Sequence, residues 1–384
     1  MSDAQKKTVL LITRNFPPLV GGMEKLNQRM FEGLAQNFNA VLIAPKGAKK
    51  FAPQNTIVYE SPSLSLPIFF LYAFFVSIYL AIKLKPSVVL AGSGLTAPFA
   101  YIASRLAKCR SVVYVHGLDL IAQSAIYQRI WLPFIRRCDA VIANSSNTKQ
   151  LALEKGVKQQ RLSIVFPGTD IPELNPENAK RFREKYELGQ CPVLLSVGRI
   201  TERKGLLPFI QNAFPVIREK YPNVKLVIIG SEPVHALKQN KQNITDEIKS
   251  YLQKNNLTEA VVFLGRCDDV TLIAAYQAAN AHVFPVLASS SDVEGFGMVA
   301  IEAAANGLQT VAFDVGGLAD AVNSGETGCL VSAADYIGMS MAVLRVLEPT
   351  DSNQNINQCR NFAKQRSWSV FQNGIFDIIG KCNV

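Results

Sequence analysis

The feature that most constrains the fold of this chain is a repeated alternation of short β-branched runs with longer stretches of helical character. In the first half the apolar runs are Val9 to Thr13, Ala40 to Ala44, Val88 to Leu90, Ser111 to Val115, Ala140 to Ala143 and Leu162 to Val165. In the second half they are Val193 to Val197, Leu226 to Ile229, Val261 to Leu264, Ala281 to Phe284, Thr310 to Phe313 and Cys329 to Val331. Short buried strands separated by helix-length segments pair in parallel through crossover helices. The sequence therefore predicts an α/β fold with two doubly wound, Rossmann-like parallel sheets.

The length of the chain also indicates two domains, because 384 residues exceed the size at which one hydrophobic core keeps growing. A Pro- and Gly-rich stretch, Pro167 to Pro172, interrupts both patterns and is the predicted linker, so that the first domain covers residues 1–170. Ligands of open α/β sheets bind beyond the carboxyl ends of the strands. We therefore expect the active site in a cleft between the two domains.

Cysteine usage and the first residues predict a cytoplasmic protein. The seven cysteines are scattered, odd in number and without a C-x-x-C pair, which predicts neither a disulfide framework nor a zinc site. The polar segment Met1 to Lys7 leads directly into the first apolar run, so no export signal is expected.

The net charge of +10 is concentrated in the first half of the chain. Residues 1–170 carry 20 Lys and Arg against 8 Asp and Glu, whereas residues 171–384 carry 20 against 22. A basic half of this kind indicates a polyanionic partner, which is nucleic acid, an anionic membrane surface or a phosphorylated acceptor. No nucleic-acid reader motif accompanies the charge, and this disfavours a nucleic-acid-binding protein.

One segment of the first half is unusually apolar. Residues Ser61 to Ile82 carry no charge, and Pro67 to Ile82 are nearly all apolar. A membrane-spanning helix needs about 20 apolar residues, so the length favours a buried crossover helix of the first domain. Shallow insertion into a membrane interface is the main alternative, and a true membrane span is the least favoured.

Two cations follow the first strand of the second half. Arg199 and Lys204 stand five residues apart in a turn that begins with Gly198, ends with Gly205 and precedes a helix. An arginine offers a bidentate fork and a lysine a point charge, and together they suit a diphosphate. The alternative is a solvated turn with no ligand.

Two carboxylates frame a glycine-rich turn between Glu294 and Glu302. The unpaired N–H groups of Gly297, Met298 and Val299, at the start of a helix, predict a phosphate site. If the segment is helical throughout, eight residues of rise separate the carboxylates by about 12 Å, which would place Glu294 on a sugar and Glu302 on a ribose. The alternative is a helix with ordinary surface acids.

Two positions of the first half also follow strands and precede helices. Gly21 and Gly22 permit close backbone approach to a ligand, although the pattern is not the G-x-G-x-x-G dinucleotide fingerprint. His116 ends a strand and precedes Gly117, which places it at the strand end that faces the expected cleft. A lone histidine is more often structural, so both interpretations stay open.

Jointly, these motifs resemble family 4 of the retaining glycosyltransferases, which have the GT-B fold. The matching segments cover nearly the whole chain in the family's order: FPPLVGG, HGLDL, CDAVIANS, PGTD, VGRITERKG, EGFGMVAIE, DVGGLADAV and GETGCLV. The opening TRNFPPLVGG is similar to that of bacterial mannosyltransferases acting on phosphatidylinositol mannosides and of enzymes of lipid-linked glycan and surface polysaccharide assembly. Two segments depart from the pattern: Val286 to Val293 is longer than the usual link, and Asn306 to Gln309 replaces the common C-G-x-P.

The resemblance implies a role for each matching residue. Arg199 and Lys204 are implied to hold the donor diphosphate, Glu294 the transferred sugar and Glu302 the ribose, with His116 beside the anomeric carbon. The implied donor-binding set also includes Gly21, Gly22, Arg266, Gly295, Phe296, Gly297, Met298 and Val299. The C-terminal, donor-binding domain is then residues 171–362, and residues 363–384 form a final helix that crosses back to the first, acceptor-binding domain.

The implied activity is retaining transfer of a hexose of mannose or glucose type from a GDP- or UDP-hexose to a lipid-linked or polysaccharide acceptor. No cofactor and no metal are expected, because cations and helix amides neutralise the leaving group. The basic first domain adds the expectation of peripheral docking on an anionic membrane at the cytoplasmic face. The alternative is an inactive nucleotide-binding regulatory or scaffold protein of the same fold, which the presence of Arg199, Lys204 and Glu294 disfavours.

Overall fold

The computed structural model describes residues 6–232, 243–289, 292–349 and 352–380, and these form thirteen strands and sixteen α-helices. The strands are β1 (Thr8–Ile12), β2 (Asn39–Ala44), β3 (Ile57–Glu60), β4 (Val88–Ala91), β5 (Arg110–Val115), β6 (Ala140–Ala143), β7 (Leu162–Ile164), β8 (Val193–Val197), β9 (Lys225–Ile229), β10 (Val261–Gly265), β11 (Ala281–Phe284), β12 (Thr310–Phe313) and β13 (Gly328–Val331).

The helices alternate with these strands along the chain. They are α1 (Gly22–Asn37), α2 (Leu66–Leu84), α3 (Ala97–Ala107), α4 (Leu118–Ile121), α5 (Leu132–Arg137), α6 (Ser146–Glu154), α7 (Pro176–Lys185), α8 (Leu206–Asn212), α9 (Phe214–Lys220), α10 (Ile244–Lys254), α11 (Asp269–Ala278), α12 (Met298–Ala305), α13 (Leu318–Ala321), α14 (Tyr336–Leu347), α15 (Ser352–Lys364) and α16 (Trp368–Gly380). A π-helical turn, Tyr127–Trp131, precedes α5.

The chain divides into two compact units. As far as it is described, the first unit contains residues 6–168, 292–296 and 368–380, and the second contains the rest. The chain therefore leaves the first unit after Gly168, inside the Pro- and Gly-rich stretch, and returns to it for α16.

Each unit is built on one parallel sheet. The first sheet has the order β3-β2-β1-β4-β5-β6-β7, and the second has the order β10-β9-β8-β11-β12-β13. All neighbouring strands are parallel. The strand order reverses between β1 and β4 in one sheet and between β8 and β11 in the other, which are the positions where such sheets bind ligands. The prediction of two doubly wound parallel sheets is confirmed.

The central strands follow from the sequence because their side chains are buried on both faces. Residues Val9 to Ile12 of β1 are fully buried, as expected for a strand covered by helices on both sides. All twelve predicted strands are present, but β3 was missed. Its residues are only half-buried or exposed at the edge of the sheet, so it lacks the continuous apolar run that marks the inner strands.

The last helix, α16, completes the core of the first unit. Its buried residues Trp368, Phe371, Ile375 and Ile379 repeat at helical spacing and form one apolar stripe. The Phe371 ring packs edge-on against Tyr114 of β5, with 6.0 Å between centroids. The C-terminal segment is therefore part of the hydrophobic core of the first unit.

The apolar segment Pro67 to Ile82 lies in α2, and the prediction that it is a buried crossover helix is correct for one face only. Phe69, Ala73, Ser77, Leu80 and Ala81 are buried against the sheet and its neighbours. The opposite face is also apolar but exposed, so that only 28% of the most apolar 18-residue stretch of the helix is buried. Among the described residues, this is the one helix long and apolar enough to cross a membrane by length and composition.

Candidate active site

In the second unit, the turn after β8 holds both predicted cations in a defined backbone conformation. Gly205 ends the turn in the left-handed region with φ +68°, and a Cβ added there would collide with the carbonyl of Pro285. A hydrogen bond also joins the turn to the segment after β11, since the Leu287 N–H donates to the Arg203 carbonyl at 2.8 Å. Glycine is therefore required at position 205, and the turn is clamped to the segment that follows β11.

The side chains of Arg199 and Lys204 line one small cleft with the end of β8. The Lys204 ammonium lies 4.5 Å from the centroid of the Phe284 ring, at the carboxyl end of β11. The cleft has a volume of only about 10 Å³, roughly the room for one water molecule. The cleft is therefore too small to enclose a diphosphate.

His282 of β11 lies behind these cations and was not identified from the sequence. The imidazole is fully buried, and its Nδ1 lies 3.0 Å from the Thr310 hydroxyl. Burial, together with a smaller effect of the positive charge of Lys204, lowers the pKa of His282 to about 3. The histidine is therefore neutral, close to the turn that carries Arg199 and Lys204. The available signal was a histidine inside an otherwise apolar strand.

The second predicted phosphate site is the N-terminus of α12. Gly297 precedes the helix with φ +93°, and an added Cβ there would collide with the Leu318 side chain. The predicted glycine-rich turn and the helix that follows it are confirmed, since α12 begins at Met298. The segment is not helical throughout Glu294 to Glu302, so the 12 Å separation for a continuous helix does not apply. Gly297 is the residue that caps the start of the helix, and the first-turn N–H groups of Met298 and Val299 follow it.

Glu302 lies on α12 and interacts with a buried tyrosine that sequence analysis missed. The Tyr276 hydroxyl lies 3.4 Å from the Glu302 carboxylate and 3.3 Å from the Val299 carbonyl. Burial raises the pKa of Tyr276 well above its usual range, and the Glu302 charge raises it further. Tyr276 therefore stays protonated and donates toward Glu302, which orients the carboxylate. Arg266, just after β10, instead donates through Nε to the Ser231 hydroxyl at 2.9 Å.

In the first unit, His116 follows β5 and is almost fully buried. Its Nε2 lies 3.0 Å from the carbonyl oxygen of Gly92, the residue after β4. A carbonyl only accepts, so Nε2 carries the proton and Nδ1 is the acceptor in the neutral ring. The His116 backbone N–H donates to the Asp119 carboxylate at 3.0 Å, which fixes the loop that carries the ring.

The segment that contains Glu294 packs against the loop after His116. A Cβ added at Gly295 would come within 2.5 Å of the His116 carbonyl and 2.7 Å of the Asn144 amide. The structure thus brings the predicted Glu294 segment and His116 together within the first unit. Phe296 is buried with its ring 5.8 Å from that of Phe166, so only its backbone is available to a donor.

The glycines at the start of α1 face a carboxylate. A Cβ added at Gly21 would meet the Glu24 carboxylate, and Asn15 donates to the other oxygen of that group at 2.9 Å. An anion approaching Gly21 and Gly22 would have to displace Glu24, because like charges repel. Arg14, which sequence analysis missed, supplies a nearby cation at the carboxyl end of β1. Burial lowers its pKa, and the Glu24 charge opposes that shift.

The predicted residues therefore form two groups, one in each unit. Arg199 and Lys204 share one cleft of the second unit, whereas Glu302 lies within α12 and Arg266 directly follows β10. His116, Glu294 and Gly295 belong to the first unit. Within the described residues, no three His, Cys, Asp or Glu side chains form a group able to hold a metal ion.

Comparison with known proteins gives the family of the chain. The model for "Glycosyltransferase Family 4" matches residues 20–172, and the model for "Glycosyl transferases group 1" matches residues 178–366. The chain is 26% identical over 360 residues to the GDP-mannose-dependent alpha-(1-6)-phosphatidylinositol monomannoside mannosyltransferase of Mycolicibacterium smegmatis, covering 87% of this chain and 88% of the relative.

Solved structures share the fold along almost the entire chain. Anabaena HepE in complex with UDP and glucose superposes with a TM-score of 0.80 at 19% identity, covering 98% of this chain and 100% of HepE. The sucrose-phosphate synthase of Thermosynechococcus elongatus superposes with a TM-score of 0.77 at 21% identity, covering 98% and 99% of the two chains. Two family models that divide nearly the whole sequence, and two doubly wound sheets that match these structures, show that the chain belongs to the GT-B glycosyltransferases of family 4.

Proposed function

We propose that this glycosyltransferase moves a hexose of mannose or glucose type from a GDP- or UDP-hexose to a lipid-linked or polysaccharide acceptor, with retention of configuration and without a metal. The observation that carries the proposal is the turn in which Gly205 holds Arg199 and Lys204 together at the carboxyl end of β8. Two relatives support the donor class, since one is GDP-mannose-dependent and the other was solved with UDP and glucose.

The chemical task of the chain's residues is to stabilise the leaving diphosphate. Arg199 and Lys204 supply two positive charges, and the N–H groups of Met298 and Val299 at the start of α12 supply further donors. Glu294 is assigned to the hydroxyls of the transferred sugar and Glu302 to the ribose. In this proposal the acceptor attacks from the face that the diphosphate leaves, and a phosphate oxygen takes the acceptor proton.

Thermal stabilisation by nucleotides tests the donor assignment. We expect GDP or UDP, and not ADP, to raise the melting temperature, because binding to the native state stabilises it by mass action. Transfer with the matching nucleotide sugar should persist in EDTA, since the cations replace a metal. Complete loss of transfer in EDTA with recovery on adding Mn²⁺ would contradict the metal-independent mechanism. Nucleotide binding with no transfer to any saccharide or lipid acceptor would favour the regulatory or scaffold alternative.

His116→Ala is expected to lower transfer at least about tenfold while nucleotide affinity stays unchanged. The assigned place of His116 is beside the anomeric carbon, where Nδ1 is the acceptor atom of a ring held by the Gly92 carbonyl. The measurement is kcat for transfer together with nucleotide affinity by calorimetry. Unchanged transfer would mean that His116 only supports the loop between β5 and α4.

The first unit is further proposed to dock peripherally on the cytoplasmic face of an anionic membrane. The exposed apolar face of α2 supports this, with Leu71, Phe75 and Ile82 exposed by 63%, 65% and 62%. A face of this kind inserts shallowly beside lipid headgroups, and nearby cations add electrostatic attraction.

Replacing two side chains of this face is expected to weaken vesicle binding without affecting the fold. Leu71→Gln with Phe75→Gln removes side chains that are mostly exposed, so the melting temperature should change little. Co-sedimentation with vesicles of phosphatidylglycerol and of phosphatidylcholine, at low and high salt, measures the change. Wild-type protein that fails to bind anionic vesicles at low salt would remove the membrane proposal and leave the transferase proposal standing.

A further inference from the structure

A second basic site lies at the amino-terminal edge of the first sheet. A cavity of about 610 Å³ is lined there by four cations, Lys85, Arg105, Lys108 and Arg110, and by one carboxylate, Asp139. The carboxylate pairs with Arg105 and accepts hydrogen bonds from the Ser111 N–H at 2.8 Å and the Ser111 hydroxyl at 2.9 Å. The cavity therefore carries an excess of three positive charges.

The fold itself brings these cations together. Helices α2 and α3 pack on the same sheet and end at the same edge, where Lys85 and Lys108 are their last capping residues. Both lysines have left-handed backbone conformations, with φ 43° and 53°, which asparagine and glycine adopt at lower cost. Val88, the first residue of β4, pairs with Arg110 of β5. Because Val88 is only three residues after Lys85, this pairing places Arg110 near Lys85.

This cavity continues the exposed apolar face of α2. Leu71, Phe75, Tyr79 and Ile82 lie on that face at spacings of four, four and three residues, and Ile82 is three residues from Lys85. Lys83 donates to the Tyr79 hydroxyl at 2.8 Å. Because Lys83 and Lys85 lie at the end of α2, positive charge increases along the helix toward the cavity. An apolar face that ends at a basic cavity is complementary to a lipid whose acyl chains adjoin an anionic headgroup.

We propose that this cavity binds the phosphate of an anionic glycerophospholipid while the apolar face of α2 lies in the membrane interface. The inference rests on the membrane docking proposed above and names the lipid group that the docked protein recognises. Arginine and lysine side chains suit a phosphodiester, as a fork and as point charges.

The lipid bound here is separate from the acceptor of the reaction. Arg110 begins β5 and His116 follows its end, so six residues of extended strand separate the cavity from His116 by about 20 Å. The cavity therefore orients the protein on the membrane and takes no part in the transfer.

The test compares two double variants with equal loss of charge. Lys85→Asn with Lys108→Asn keeps residues that tolerate the left-handed conformation and removes two charges from the cavity. Lys180→Gln with Lys254→Gln removes two charges from exposed helix positions of the second unit. We expect the cavity variant to bind phosphatidylglycerol vesicles at least about tenfold more weakly than wild type, the control variant to bind like wild type, and binding to phosphatidylcholine vesicles to be equal in all three.

Other outcomes overturn the inference. Equal affinity of the cavity variant and wild type for phosphatidylglycerol vesicles would remove the headgroup site. Vesicle binding that does not depend on Lys85 and Lys108, together with a higher melting temperature of the wild-type protein in inorganic phosphate, would assign the cavity to a soluble anion. Dimerisation in the absence of lipid, abolished by Leu71→Gln with Phe75→Gln, would assign the apolar face to a second copy of the chain.

Failure of the headgroup site is distinguishable from failure of the other proposals. The cavity variant should keep the nucleotide-dependent rise in melting temperature of the wild-type protein, because none of its substitutions lies in the second unit. Weaker binding to both kinds of vesicle in the Leu71→Gln and Phe75→Gln variant, with no effect of the cavity variant, would retain membrane docking and reject the specific phosphate site.

Discussion

Replacing Lys204 with Ala is expected to lower kcat/KM for sugar transfer at least about 100-fold while the fold is retained. The ammonium of Lys204 is held over the Phe284 ring by the turn that Gly205 closes, and in the proposed mechanism it faces the leaving diphosphate. A fixed charge that stabilises only the developing leaving group acts mainly on the transition state. Removing one such group lowers kcat by about two to three orders of magnitude. Arg199→Ala removes the other cation of the cleft and is expected to act in the same direction.

The control for this experiment is another lysine of the second unit. Lys220 pairs with Glu348 at an exposed site, at 2.9 Å, and Lys220→Ala should leave both transfer and stability nearly unchanged. Steady-state kinetics with the preferred nucleotide sugar gives kcat/KM, and far-UV circular dichroism reports the fold. Lys204→Arg should recover part of the activity, because it restores the charge with a different geometry. Wild-type turnover in Lys204→Ala would refute the assignment of the diphosphate site.

The second large effect concerns His282 and the stability of the second unit in acid. In the unfolded chain a histidine titrates near its ordinary pKa of 6.5, whereas burial lowers the pKa of His282 in the folded protein to about 3. Between these two values the unfolded state binds more protons than the folded state. The contribution of His282 to the unfolding free energy is therefore fully present above about pH 6.5. It falls as the pH falls toward 3, by up to about 1.4 kcal/mol for each pH unit.

We expect wild-type protein to lose about 2 to 3 kcal/mol of unfolding free energy between about pH 7 and pH 4.5 from this residue alone. His282→Phe keeps an aromatic ring beside Phe284, at 5.7 Å between centroids in the native protein, and removes the titrating group. Its unfolding free energy should therefore depend much less on pH across the same window. Urea denaturation followed by far-UV circular dichroism, at several pH values, measures the difference.

Thr310→Val is the matched control for His282→Phe. It removes the hydroxyl that faces His282 Nδ1 at 3.0 Å but leaves the titrating imidazole buried. The variant should be less stable at every pH and should keep the acid dependence of wild type. Identical pH dependence in wild type and His282→Phe would show that His282 does not resist protonation in the folded state.

The sequence by itself determined the architecture of both sheets. Parallel inner strands are buried on both faces, so residues such as Val9 to Ile12 must be continuously apolar, and the pattern is visible without any tertiary information. The edge strand β3 was not predicted, because its residues are half-buried or exposed and do not form a continuous apolar run. The charged turn after β8 was also recognisable, since two cations between glycines after a strand form a local pattern, and its binding of a diphosphate stays a prediction.

The outer face of α2 shows what local pattern cannot decide. Its residues are apolar on all sides, so periodicity alone could not distinguish a buried crossover helix from one with a single face against the sheet. Only the packing of α2 on the sheet and α3 leaves Leu71 and Phe75 exposed while Phe69 and Ala73 are buried. The basic cavity depends on the same packing, because its cations come from two separate parts of the chain, Lys85 and residues 105–110.

The surroundings of the site residues were likewise decided by tertiary structure. Tyr276 reaches Glu302, which is 26 positions away in the chain, and the charge of Lys204 acts on the pKa of His282, which is 78 positions away. The carboxylate of Glu24 over Gly21, and the packing of Gly297 against the Leu318 side chain, depend on how side chains and backbone meet in space. Sequence alone determined which residues carry charge at strand ends, and the folded chain determined what each of them contacts, because those contacts join segments that no local pattern links.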